Sequence, residues 1–487
     1  MLKKIKYVLS LLLVVLLVSC SGAHYDYDYD ESEYGEEYEG LIERGFVNPK
    51  EKPLSNFTLD SSSYAYTNIR RLINNNQYIP DDAVVIEQML NYFNYSYKNI
   101  TNEALSSTIE IAKCPWNPEN HIALISVNAH KIEYSQTNNN IVFLVDTSGS
   151  MSSSNKLDLF QEGFAMFAEN LTENDTISIV TYASGVRVIA DGINGSEKGK
   201  LIEAIDELHA SGSTNGSGGI QKAYEIAQKN YIEGGNNRIM LVTDGDFNVG
   251  ISDQNMLNEY ISEKRETGVY LSVLGFGMGN TKHNTMETLA SNGNGNSYYV
   301  DSLLECQRLF VEEIGAVLHT VAKDAKIQVE FNPCVVNKYR LLGYENKMLS
   351  EQEYEDTHTD AGEIGLGHTT IAMYEINLND NKLSDEFILK TKLRYKNVET
   401  LEEKEVVNST SKVLNHSDDT LFASAVVEFA LILRNSKYKS NASFDHLFTY
   451  LYDININEDF YKEDFIKLVE RAYDNEKLNN NRYNSYE

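Results

Sequence analysis

Apolar and polar positions follow three different periods along the chain, and the changes of period mark its organisation. In Ser61–Asn75 the apolar positions Tyr64, Ile69 and Leu72 recur at helical spacing. So do Val85, Met89, Leu90 and Phe93 in Val84–Phe93, after Pro80. Ser107–Ala112 and Ile122–Val127 then alternate as strands, joined by the turn Cys114-Pro115-Trp116-Asn117-Pro118. From residue 138 to 322, short apolar runs and amphipathic stretches take turns. Ile141–Val145, Ile239–Val242 and Tyr270–Leu274 are almost wholly apolar, as strands covered on both faces must be. Thr176–Tyr182 adds a further strand. Leu157–Leu171, Lys200–Leu208, Gly218–Tyr231, Asn255–Lys264 and Val311–Val321 have helical spacing. Strands separated by helices imply right-handed crossovers, and so an α/β, doubly wound parallel sheet of the Rossmann-like kind.

Residues 325–407 return to period two. Lys326–Phe331, Tyr339–Tyr344, Thr369–Ile376, Phe387–Tyr395 and Lys404–Val407 read as strands of an antiparallel β-sandwich. The two strands before residue 138 are expected to join it, which makes the α/β domain an insertion in the sandwich. From Asp418 the spacing is helical again, over Leu421–Leu433, Asp445–Tyr452 and Phe460–Ala472. The Asn-rich tail Leu478–Glu487 is expected to fray. The expected divisions are 1–19, a signal; 20–55, an acidic Tyr/Asp/Glu-rich tether; 56–137, an N-terminal module; 138–322, the α/β domain; 323–415, the sandwich region; and 416–487, the helical region.

Charge narrows the choice of partner. The 487 residues carry 72 acidic and 42 basic side chains, a formal net charge of -30. A nucleic-acid binder needs a basic face to displace counterions from phosphates, and no basic cluster occurs, so nucleic acid is excluded as a partner. Tyr25-Asp26-Tyr27-Asp28-Tyr29-Asp30 and the glutamates after it repel one another, which favours an extended, solvated spacer. Ahead of it, Lys3, Lys4 and Lys6 precede an apolar run from Val8 to Val18 that is too short for a permanent span. It has the layout of a secretory signal. Leu17-Val18-Ser19-Cys20 looks like a lipobox, in which cleavage leaves Cys20 as the acylated first residue. Several acyl chains anchor stably where a single one does not. The expected place is the cell membrane or outer membrane, lipid-anchored, periplasmic or surface-exposed. Ser21, in place of an aspartate that commonly retains a lipoprotein in the inner membrane, favours the outer one in a diderm host.

Of the other cysteines, Cys306 sits in an apolar-periodic stretch and reads as a small buried hydrophobe. Cys114 and Cys334 each end a strand-like run beside a proline, and a bridge between them suits an oxidising compartment. Trp116 reads as packing for its turn.

The candidate chemistry lies at strand ends. Asp146-Thr147-Ser148-Gly149-Ser150 follows the buried run Ile141–Val145, and Thr243-Asp244-Gly245 follows Ile239–Val242. The loop Gly212-Ser213-Thr214-Asn215-Gly216 precedes a helix. In an open parallel sheet, ligands bind beyond the carboxyl ends of the strands. Asp146, Ser148, Ser150, Thr214 and Asp244 would there give an all-oxygen shell with two carboxylates. That shell suits Mg2+, or another divalent cation such as Mn2+ or Ca2+. Asp246 and Asn248 either line the rim or shape their loop. Gly275-Phe276-Gly277-Met278-Gly279-Asn280 lacks the last glycine of a dinucleotide fingerprint and reads as a turn, and His283 reads as a loop residue. No GxSxG elbow surrounds Ser148 or Ser150, so no catalytic residue is assigned and the chain is not read as an enzyme.

Asp146-x-Ser148-x-Ser150, followed by Thr214 and Asp244, resembles the metal-ion-dependent adhesion site of von Willebrand A domains such as those of integrins; all five positions are present. The resemblance implies direct metal bonds from Ser148 and Ser150, and a direct or water-mediated one from Thr214. Asp146 and Asp244 would act largely through water. A further position is left for an acidic side chain of a protein partner. Outside this domain, Cys114-Pro115-Trp116-Asn117-Pro118 and Gly343-Tyr344-Glu345-Asn346, with the loops at Gly212 and Asp244, resemble a bacterial lipoprotein family. In it an A domain sits between an N-terminal module and a C-terminal region; the likeness runs over roughly residues 56–472. It implies a cell-envelope lipoprotein that captures a protein carboxylate through bound metal. The alternative is a scaffold subunit of an envelope complex whose assembly the metal site regulates.

Overall fold

The fold begins earlier in the chain than an acidic tether implies. The computed structural model describes residues 38–484, apart from 60, 98–100, 102, 131–137, 214–215, 246–253, 278–282, 360, 380–385 and 399. Val47 bridges Tyr339 in antiparallel fashion, and Leu54–Thr58 forms a strand, β1, with Phe57 buried. Residues before it are pinned too. Leu41 N donates to Asp82 Oδ1 at 3.0 Å, and Arg340 pairs with Glu43 at 3.3 Å. The 38–55 part of the expected spacer therefore lies on the folded body, because distant residues supply partners that local composition does not reveal. The signal, Cys20 and the Tyr/Asp run lie outside the described residues.

Helix α1 (Tyr64–Asn74) buries nearly every residue. The helix expected over 84–93 shortens to α2 (Ile86–Leu90), after a 3-10 turn at Asp81–Ala83. The residue that caps it also ties it to the sheet, since Asn91 Oδ1 accepts from Ile371 N at 2.9 Å. Strands β2 (Leu105–Lys113) and β3 (His121–Ala129) follow.

The inserted domain runs β4 (Asn139–Asp146), α3 (Leu159–Asn170), β5 (Asp175–Tyr182), β6 (Val186–Asn194), α4 (Lys198–Asp206), α5 (Gly216–Lys229), β7 (Asn236–Thr243), α6 (Gln254–Arg265), β8 (Val269–Phe276), α7 (His283–Asn292), β9 (Ser297–Val300), α8 (Leu303–Gln307) and α9 (Ile314–Leu318). Its sheet has the order β6-β5-β4-β7-β8-β9, parallel throughout except for the antiparallel edge strand β6. Strand β4 shows why the run reads as wholly apolar. Ile141, Phe143 and Val145 pack with α3, α4 and α9 on one face, while Val142 and Leu144 pack with α5, α6 and α7 on the other. The sheet is doubly wound, as expected. His283 opens α7 instead of lying in a loop. The helix expected over 311–321 breaks at Glu313 (φ -109°, ψ 17°) and ends at Leu318. Thr320 and Val321, β-branched and suited to a pleated surface, already belong to the next strand.

That strand, β10 (Thr320–Phe331), returns the chain to the sandwich. It is followed by β11 (Val336–Leu342), β12 (Met348–Leu349), α10 (Glu351–Glu355), β13 (Gly362–Gly365), β14 (Thr369–Leu378), β15 (Leu389–Asn397) and β16 (Glu403–Thr410). One sheet has the order β12-β1-β10-β15-β16, with β13 also on β10; the other has the order β11-β14-β3-β2. The two strands before the insertion thus join the second sheet, Ile125 opposite Ala372. Between the sheets lie Ile125, Val127, Ile327, Val329, Phe331 and Tyr374.

The outer face of that second sheet is covered by helices. Ile122, Leu124, Ile371 and Met373 pack against α1, α2, α11 (Asp418–Leu433), α12 (Phe444–Leu451) and α13 (Phe460–Asn484). Helix α13 continues through the stretch expected to fray, as far as Asn484. Trp116 is buried in this layer, as is Cys114, whereas Cys334 is exposed and the two are not bonded. Cys306 is buried and faces Gly163, where an added Cβ would meet Sγ at 2.7 Å. All these elements belong to one compact unit, Glu36–Glu487.

Phe465 of α13 joins the N-terminal segment after α2 to α11, with ring centroids 5.5 Å from Phe93, 5.4 Å from Phe422 and 5.6 Å from Phe429. Phe465→Ala is expected to cost about 3–5 kcal/mol of unfolding free energy, the usual range for deleting a buried ring. Urea denaturation checks it; a loss under about 1 kcal/mol would show that the two sets of helices share no core.

Candidate metal centre

The chemistry gathers beyond the carboxyl ends of β4 and β7. Asp146 is the last residue of β4, between the parallel neighbours β5 and β7, and is buried. The loop after it is held from two sides. Thr147 N donates to the Tyr182 carbonyl at 2.9 Å, Ser211 N to the Thr147 carbonyl at 2.8 Å, and Gly149 N to the Gly212 carbonyl at 3.0 Å. These bonds seat the Asp146–Ser150 loop against the segment that leads to Thr214. Gly212 has φ +84° and Gly245, after Asp244, has φ +93°, conformations that side-chain-bearing residues rarely adopt.

Asp146 Oδ1 accepts from Ser148 N at 2.7 Å. Its Oδ2 is buried and makes no well-formed hydrogen bond among the described residues, although the nearby Tyr182 hydroxyl favours the ionised carboxyl. The hydroxyls of Ser148 and Ser150 lie 2.9 Å apart. Burial pushes the Asp146 carboxyl up to about 6; the Ser148 donors work against that rise and the Asp244 charge adds to it. Two carboxylates and two hydroxyls are therefore brought to one place. A buried carboxylate oxygen without a well-formed hydrogen bond costs free energy that a hard cation would recover, so these donors fit a divalent metal ion. The described residues hold no group of three or more His, Cys, Asp or Glu side chains suited to a metal. A site with two carboxylates and hydroxyls is not of that kind.

Thr214, Asp246 and Asn248 lie outside the described residues, though Gly212 and Gly245 place the ends of their loops beside the centre. One residue of the centre was not foreseen. Lys156 is buried, and its Nζ donates to Asp244 Oδ2 at 2.8 Å and to the Ser150 carbonyl at 2.9 Å. In the sequence it reads as one more polar position before an amphipathic helix, and nothing local marks it as turned inward. The Ser148 and Ser150 hydroxyls bond each other.

A doubly wound sheet with this loop at its carboxyl edge defines a von Willebrand A-type domain. The family so described, von Willebrand factor type A domain, matches residues 140–312. A family described as von Willebrand factor matches 32–124, and one described as Uncharacterized protein YfbK, C-terminal, matches 316–474. Uncharacterized protein YfbK of Escherichia coli K12 is 37% identical over 451 residues, which cover 87% of this chain and 78% of that one. The chain belongs to the YfbK family. Inter-alpha-trypsin inhibitor heavy chain H3 of Mus musculus is 29% identical over 203 residues, covering 39% of this chain and 22% of its own. Among solved structures, von Willebrand factor type A from Catenulispora acidiphila has a TM-score of 0.43 at 13% identity, over 74% of this chain and 90% of that one. The ArnB paralog VWA2 from Sulfolobus acidocaldarius has a TM-score of 0.34 at 14% identity, over 76% and 93%.

Because the folded-state value of Asp146 lies above its ordinary 3.8, the protonated carboxyl stabilises the fold at low pH. That contribution is lost as pH rises through about 6. Asp146→Asn keeps an acceptor for Ser148 N and removes the titration. In EDTA the wild type is expected to lose stability relative to Asp146→Asn between about pH 4 and 6, read from denaturant midpoints. A difference that stays constant across that range would mean that the carboxyl is solvated.

Proposed function

We propose that this protein is a cell-envelope lipoprotein whose A domain binds a protein partner through a divalent cation, Mg2+ first, with Mn2+ or Ca2+ as alternatives. The A domain belongs to a class of modules that generally mediate protein–protein interaction. The reading rests on one observation above the others. Asp146 keeps a buried carboxylate oxygen without a well-formed hydrogen bond among the described residues, beside the paired Ser148 and Ser150 hydroxyls and in reach of the loop that ends β7. Asp146, Ser148, Ser150 and Asp244, with Thr214 from the adjacent loop, would hold the cation. When bound, it supplies a Lewis-acidic position for a carboxylate of the partner. The protein's own part is to hold the donors in place, exclude water and keep two negative charges together. Such a site binds and does not turn over substrate.

The envelope part of the reading rests on the signal-like start and on Cys20. Among the described residues, no helix is long and apolar enough to cross a membrane. Under this reading the acyl chains on Cys20 hold the protein at the membrane, in the periplasm or at the surface. Cys20→Ala is expected to appear in the soluble fraction or to remain unprocessed. A variant processed and sedimented with membranes like the wild type would end the lipoprotein reading.

The metal reading is tested by melting the protein in Mg2+ and in EDTA. Binding to the folded state alone adds about 2.7 kcal/mol at a hundredfold excess over Kd. The wild type is expected to melt higher in Mg2+, with no such difference in Asp146→Ala or Asp244→Ala, and a reduced one in Ser148→Ala and Ser150→Ala. Partner recovery from crosslinked cells is expected to follow the same order. Full Mg2+ stabilisation of Asp146→Ala would overturn the reading. A partner kept equally well in EDTA would instead favour a scaffold held by other surfaces.

A further inference from the structure

We propose that Lys156 is a positioning residue of the metal centre: its ammonium is a built-in cation that holds Asp244 and the Ser150 backbone in place and opposes the charge of the metal. The inference rests on the metal reading above and adds to it a residue that sets how tightly the site is filled.

Lys156 is placed by the chain around it. Ser154–Asp158 forms a widened, π-type turn ahead of α3, with Asn155 out of helical conformation (φ -89°, ψ 16°). Such turns re-aim side chains and recur at functional sites. Here the turn sends Lys156 inward. Its aliphatic stem crosses Gly277, the residue after β8, where an added Cβ would meet the side chain from Cγ to Cε; Gly277 has φ +91°. Stem and backbone both require glycine there. At the far end, Nζ bonds Asp244 Oδ2 and the Ser150 carbonyl, and the Asp244 side chain has no exposed surface.

Charge gives this placement its consequence. Asp146, Asp244 and Lys156 sum to one negative charge, and a divalent cation among them brings the centre to one positive charge. A partner carboxylate then neutralises it. Without the lysine, the loaded centre is neutral before the partner arrives and attracts a carboxylate less. In a buried, weakly screened site, a resident positive charge works strongly against an incoming one. Lys156 therefore weakens metal binding and favours the anionic ligand once the metal is in place.

The test uses the full chain and Mn2+ as the probe, with Kd read by calorimetry or from the electron paramagnetic resonance of free Mn2+. Lys156→Met and Lys156→Gln are expected to bind Mn2+ at least about tenfold more tightly than the wild type. Lys156→Arg, which keeps the charge, is expected to stay within about threefold. A purely structural lysine would make every replacement bind Mn2+ more weakly. Lys156→Gln retains a donor for Asp244 and carries the test should Lys156→Met fail to fold. A wild type that binds Mn2+ while both neutral variants bind no tighter would overturn this inference alone. If neither wild type nor variants bind, the metal reading falls and takes the inference with it. If only the neutral variants bind, the wild type holds no metal, and both the metal reading and the inference that the lysine tunes a filled site are overturned.

Discussion

The buried carboxylate of Glu305 is the group around which the three parts of the molecule are arranged. It lies in α8, just after the last strand of the A domain, with no solvent to stabilise its charge. Arg308 meets it at 2.6 Å and Arg70 of α1 at 3.1 Å; Arg70 also meets Asp301 at 2.5 Å, and Asp464 of α13 lies 3.8 Å away. Both guanidiniums stack on Tyr92, at 5.3 and 4.4 Å from its ring centre. Burial would lower the pKa of Arg70 and Arg308, but Asp301 and Glu305 outweigh it, so both remain charged. Removing one partner from such a cluster leaves a charge stranded, at a cost of about 3–5 kcal/mol. The N-terminal helix, the A domain and the C-terminal helix are thus held in one arrangement by groups that tolerate no other.

That constraint explains why an insertion need not be loose. The A domain leaves the second sheet after β3 and returns to the first at β10, so its two connections lead to opposite layers of the sandwich. Arg308 adds a bond from Nη2 to Ser63 Oγ at 2.7 Å, which ties α1 to the end of the inserted domain. Rigid strands then carry the loops of the centre. Asp146 owes its raised pKa to its position at the end of a strand flanked on both sides, where water cannot reach it. The same placement makes its charge costly unless an opposite charge stands beside it.

The parts legible in the sequence are those whose physics is local. Ile141–Val145 and Ile239–Val242 announce buried strands because both faces are covered, and Asp146 and Asp244 follow them at the carboxyl ends where ligands bind. Strand β6 gave no such signal: as an edge it leaves Val186 and Val188 partly exposed, and its hydrogen bonds, not its pattern, define it. Strand β9 has four residues, too few to show a period. Strand β1 is too short and polar to show a period, and its partners, Lys326 to Glu330 of β10, lie far along the chain. Lys156 was missed for the same kind of reason, since only the fold brings Asp244 to it.

Contacts run without a break from the centre to the ionic cluster. Asp244 bonds Lys156, whose stem lies on Gly277; the Gly277 carbonyl accepts from Tyr299 Oη. The Tyr299 ring lies 5.3 Å from that of Tyr64 and beneath the Arg71 guanidinium, both on α1, and two residues later Asp301 meets Arg70. A lysine in solvent could change partners freely. One packed on a glycine backbone, which is itself bonded to a ring wedged against α1, has few places to go. The candidate centre is therefore stiffened from below by its sheet and from the side by the N-terminal helix. The fold itself thus sets the places of Asp146, Asp244 and Lys156, and with them the geometry and net charge of the candidate centre.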